Sequence, residues 1–129
     1  MICSAILTVA CNLISEASGA VLSAADFSAR APYIIASFCG MASAVDKHYR
    51  KGFSLGAQPA FNRAQIDLTA QFPLADRFVP SAAAYLASML IAPENPDLAA
   101  ALRKSSRDDL MSAYNEIPWT QHEIVDKNS

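Results

Sequence analysis

Cysteine, histidine, glycine and charge are all scarce in this 129-residue chain, and each scarcity closes off a class of function. Cys3, Cys11 and Cys39 are an odd number without Cys-x-x-Cys spacing, so neither a disulfide framework nor a zinc site is signalled. A reducing cytosol suits that usage. His48 and His122 lie far apart and outside any ligand spacing such as His-x-x-x-His, which assigns both to the surface. With 4 glycines there is no glycine-rich phosphate loop, no Gly-x-Ser-x-Gly elbow and no dinucleotide fingerprint. Charged residues make up 17% of the chain, and the formal charge of −2 provides no basic field for nonspecific nucleic-acid binding. Met1 to Leu22 carries a single charge, Glu16, yet lacks the basic residues that open a secretory signal. The faint likeness of Leu7 to Cys11 to a lipoprotein cleavage box fails on the same ground.

What is present is apolar and alanine-rich. At 53% hydrophobic, the chain can build one compact core, expected over residues 1–117 with a short polar tail at 118–129. The pattern predicts an all-α fold, a compact bundle of four to five helices, with almost no sheet. Its centre is the stretch Phe72 to Ile91, which runs uncharged after Pro80. At about 100° per residue, Ala82, Ala83, Leu86, Met89 and Leu90 cover one half of a helix, and Tyr85, Ala87 and Ile91 extend the apolar surface around it. Only Ser81 and Ser88 interrupt. A helix apolar nearly all round is surrounded by other helices, and a dozen residues are too short to span a bilayer. This central helix is placed at about 80–92.

Around it, the first helix is expected at 2–18, with Ile2, Ile6, Leu7, Val9, Ala10, Leu13, Ile14 and Ala17 inward and Gly19 as its stop. A second, from Pro32 to Arg50, buries Ile34, Ile35, Phe38, Met41, Ala42, Val45 and Tyr49. The basic group Lys47, His48, Arg50 and Lys51 complements the negative end of that helix, or else Lys47, Arg50 and Lys51 contact phosphate. Residues 51–71 are irregular; Pro59 to Ala70 fits either a short helix or an extended segment. Asn95 caps a last helix that Pro96 opens, Asp97 favours and Pro118 stops. Leu98, Leu102, Leu110, Ala113 and Ile117 face inward, and Arg103, Lys104, Arg107 and Asp108 face water. The polar middle, Lys104 to Asp109, suggests a bend or a protrusion toward a partner.

The chemical inventory is thin. Cys3 and Cys39 lie beside apolar faces and read as small buried hydrophobes. Asp108 and Asp109 are adjacent, hence on different helix faces, and make no catalytic carboxylate pair. Asp76 and Arg77 read as a cap or surface pair, with a buried polar anchor as the other option. No cofactor or metal is called for, and no enzyme activity is expected.

One resemblance bears on function. Phe72, Pro73, Asp76 and Phe78, followed by Tyr85, Leu86 and Ala87 and then by Glu94, Asn95, Pro96 and Asp97, form an order of features similar to the C-terminal half of helical head–tail connector proteins of tailed phages and prophages. The segments Ile14 to Gly19 and Ala29 to Ile34 sit where such proteins turn from their first helix into their second. The resemblance implies a structural virion-assembly subunit that joins copies of itself into a ring and meets portal and tail proteins. It would be found in the bacterial cytoplasm, and in the virion if the prophage is active. No membrane contact is implied, and DNA contact has little support because basic residues are sparse. Ring surfaces are heterologous, and Phe53, Phe61, Arg103, Arg107 and Trp119 are the candidate interface residues. Tertiary packing is the competing role for the loop aromatics. The rival functions are a cytosolic regulatory or partner-binding module and, more remotely, a small enzyme using Asp76, Arg77 or His48.

Overall fold

The computed structural model describes residues 1–118. Four α-helices occur there: α1 (Cys3–Ser18), α2 (Ala31–Gly52), α3 (Val79–Ile91) and α4 (Pro96–Glu116), with 3-10 turns at Ala24–Phe27 and Asp76–Phe78. The all-α class is as the composition requires. Among the described residues the one β-type pairing is an isolated antiparallel bridge between Ile2 and Gln71.

Helix limits follow local chemistry. Gly19 takes φ 75°, the left-handed region open to glycine, and its N–H donates to Ser15 O at 2.8 Å, closing α1. Pro32, Pro80 and Pro96 each occupy a first turn, where a missing N–H goes unnoticed. The Asn95 side chain accepts from Leu98 N at 3.1 Å, which is the cap expected from the Asn-Pro pair.

The three other helices lie against α3, which hides ten of its thirteen residues. Its alanines let neighbouring backbones approach closely, and Leu86 and Phe78, fully buried, fill the space between. The two serines that interrupt the apolar surface are themselves buried and satisfied. Ser81 Oγ donates to Asp109 Oδ2 at 2.6 Å, and Ser88 Oγ donates to Tyr85 O at 2.7 Å.

Inward assignments on two helices need correction. On α1 the buried face is Cys3, Ile6, Leu7, Ala10, Cys11 and Ile14, while Ile2, Val9 and Ala17 are exposed. The wheel gave an apolar half-circle wider than the stripe that α3 covers. On α2, Met41 is 60% exposed, because no helix among the described residues crosses over that part of the stripe. On α4, the polar middle lies within one continuous helix: Ser106 is buried and donates to Ser81 O at 2.7 Å, and Asp109 faces the start of α3.

The segment between α2 and α3 forms neither the short helix nor a strand, yet it is firmly held. Carbonyls of Ala70 and Leu68 accept from Cys3 N and Ser4 N at 2.9 and 2.8 Å, so the loop caps α1, whose start has no side-chain cap. Ile66, buried, donates its N–H to Pro32 O at 3.1 Å.

Candidate functional site

Polar side chains inside the fold form two anchors. The first is Asp46, fully buried on α2. Its Oδ2 accepts from Arg50 Nε and Gln58 Nε2, both at 2.8 Å, and its Oδ1 accepts from Ala75 N at 2.7 Å. Ser43 Oγ donates to Gln58 Oε1 at 2.9 Å. Arg50 extends the network to the carbonyls of Gly56 at 3.0 Å and Pro73 at 3.2 Å. One carboxylate and one guanidinium thus tie both ends of the 53–75 segment to α2, which explains how a long irregular stretch keeps its place.

The second anchor is Arg77. Its Nη2 donates to Glu116 Oε2 at 2.8 Å and its Nη1 to Asp109 Oδ2 at 3.1 Å, linking the entry of α3 to two positions about two turns apart on α4. The Asp76–Arg77 pair therefore divides its roles, with Arg77 as the structural anchor and Asp76 exposed. Hydrogen bonding to Arg77 holds the Glu116 carboxyl below its ordinary value of 4.5.

Other reactive side chains lie outside these networks. His48 is exposed. The three thiols are buried and free; desolvation pushes Cys39 up to about 12 and Cys3 to about 11, and raises Cys11 as well. Such thiols are neutral and weakly nucleophilic near pH 7. Among the described residues, no cluster of three or more His, Cys, Asp or Glu could hold a metal ion, and no helix is long and apolar enough to cross a membrane.

The surface feature that remains is a groove between α2 and α4. Both helices pack on α3 and run the same way, since Phe38 lies beside Arg103 and Gly52 beside Ile117. Two adjoining recesses of about 240 and 390 Å³ open between them. The first is lined by Phe38, Met41, Ala42, Tyr85, Arg103, Ser106, Arg107 and Leu110, and the second by Val45, Arg107, Leu110, Met111 and Tyr114. Phe38 and Tyr85 set the depth, with ring centroids 5.8 Å apart. Met41 and Met111 stand at the mouth, 60% and 59% exposed. Arg103 and Arg107, one turn apart, form the rim, and among the described residues neither pairs with a carboxylate; Arg103 Nη2 meets only Met89 Sδ at 3.8 Å. Lys104, by contrast, is paired with Asp108 at 2.8 Å.

The expected site residues thus separate. Arg103 and Arg107 come together on one groove. Phe53, 43% exposed, packs on Tyr49 with ring centroids 4.6 Å apart and the rings tilted by 42°, and Phe61, half-buried, carries Arg63 over its ring at 5.6 Å. The two loop aromatics lie apart from the groove and do not line it. Trp119 lies outside the described residues. Lys47, Arg50 and Lys51 border one shallow recess, but Arg50 donates to Asp46 and to loop carbonyls, so its reading as a phosphate contact gives way to a structural role. Sequence reasoning passed over Asp46, although its position eight residues after Phe38 and four after Ala42 places a carboxylate inside the buried stripe of α2. Gly52, expected from the sequence as the stop of the second helix, does end α2, and it is also a packing point: an added Cβ there would come within 2.6 Å of Ile117 Cγ2. No known protein family, no curated protein and no solved structure matches this chain.

Proposed function

We propose that this chain is a structural assembly subunit of the head–tail connector kind, which joins copies of itself and meets portal and tail proteins through its helical surfaces. The observation that carries the reading is a contrast in how side chains are used. Asp46, Arg50, Arg77 and Asp109, the residues best suited to chemistry, are tied into the fold, whereas an apolar groove with an arginine rim faces outward. A surface of that kind suits binding and gives no reacting group. The resemblance through FPLADRF and the Glu94-Asn95-Pro96-Asp97 turn adds the phage context; in the fold these stretches lead into α3 and α4. Lys47 and Lys51, both exposed near the end of α2, are the candidates for any phosphate or DNA contact.

The same groove favours a second reading, a cytosolic partner-binding module. The gene's neighbourhood separates the two: portal and capsid genes alongside support the connector, and their absence favours the module. A direct test mixes the purified chain with the portal protein of the same prophage. Co-elution as a complex larger than the portal alone is expected; separate elution, with no phage genes nearby, overturns the connector reading.

A further inference from the structure

We propose that the α2/α4 groove receives residues 119–129 of a second copy of this chain, so that copies join C-terminal segment into groove. The inference rests on the self-assembly reading above and names its contact. Among the described residues the groove is open, with Met41 and Met111 more than half exposed. Methionine-bordered apolar grooves adapt to aromatic and branched side chains. Residues 119–129 supply such side chains in Trp119, Ile124 and Val125, and supply carboxylates in Glu123 and Asp126. Those acids complement Arg103 and Arg107, which no described carboxylate engages.

Length agrees. From Arg103 to Tyr114 the groove runs along α4 for roughly 17 Å at a helical rise of about 1.5 Å per residue. An extended segment of 11 residues reaches at most about 36 Å, enough to cross from one copy and line the groove of the next. Direction favours the neighbour. Pro118 is pressed against Gly52 at the end of α2, where an added Cβ would lie 3.2 Å from Pro118 Cδ. To enter its own groove the chain would have to reverse immediately, and Trp119 to His122 include no Gly, Pro, Asn or Asp to make that turn. A segment given by one copy and accepted by the next is a heterologous contact, the type that closes into rings.

The full chain carries its own probe, because Trp119 is its single tryptophan. The proposal expects Trp119 emission to move to shorter wavelength as concentration rises, in step with growing mass in sedimentation equilibrium. Trp119→Ala removes the donor and R103E/R107E damages the acceptor, and each should weaken association about ten-fold or more. These arginines are exposed, so far-UV circular dichroism should match the parent chain. Mixed together, the two variants should form a 1:1 complex and nothing larger, since one competent segment and one competent groove remain. Association unchanged in either variant, or no complex on mixing, overturns the proposal. So does a chain that stays monomeric at millimolar concentration with water-exposed Trp119 emission, or a blue-shifted emission that ignores concentration, which would place the segment in its own groove. The connector reading is judged separately, by portal binding and gene neighbourhood.

Discussion

The two flanks of α3 show how one helix can be sealed on one side and left open on another. Toward α1, buried residues such as Cys3, Ile6, Leu7 and Ala10 close the interface. Between α2 and α4, both of which also lean on α3, the aromatic pair Phe38 and Tyr85 stands at the base of a groove that no other element among the described residues fills. The difference teaches that helical periodicity marks an apolar face without saying whether a neighbour covers it. Small side chains on α3 let helices approach. Bulky ones at Phe38, Tyr85 and Leu110 hold α2 and α4 apart.

Substitutions can break that comparison. The largest effect is expected where α2 holds the 53–75 segment: Asp46→Ala strips three acceptor bonds from a buried site and strands Arg50, at a cost of about 3–5 kcal/mol. Urea unfolding would read it as a lower midpoint. A midpoint within error of the parent would mean that Asp46 does not hold the 53–75 segment. Next comes a pair of truncations on the two flanks. Leu86→Ala, at a fully buried position, should cost about 2–5 kcal/mol, whereas Met41→Ala at the groove mouth should change stability by no more than about 0.5 kcal/mol. Equal losses would show that the groove is closed in solution.

The smallest effect is electrostatic. Because Arg77 lowers the folded-state value of the Glu116 carboxyl, the pair's contribution is complete above 4.5 and disappears as pH falls through the lower folded value. Thermal midpoints measured down that range should fall less for Glu116→Gln than for the parent chain. A parallel pair of curves would remove the ion pair from any account of acid stability.

Much of the fold was legible because its punctuation is local. Gly19, Pro32, Pro80 and the Asn95-Pro96 pair act within a few residues of themselves, and each marks a helix end in the structure. The candidate site was less legible. Arg103 and Arg107 read as water-facing from their spacing alone, and they are exposed. The groove beside them depends on where α2 settles, a fact not contained in either helix. Arg50 misled for the same reason. It belongs to a basic cluster along the chain, but its partners are Asp46 and carbonyls as distant as Pro73. A charge is defined in sequence by its neighbours, and in the fold by whatever the backbone brings to it.

The capping of α1 by the carbonyls of Leu68 and Ala70 bears on biosynthesis. The opening turn of α1 gains its hydrogen-bond acceptors only once the chain 64 to 67 residues downstream of Ser4 and Cys3 has left the ribosome, because Leu68 and Ala70 supply them. Closing so wide a loop is slower than forming a local turn. The start of α1 should therefore be among the last parts of the nascent chain to settle, and pulse-labelling of its amides during refolding should find Cys3 and Ser4 protected later than the middle of α3.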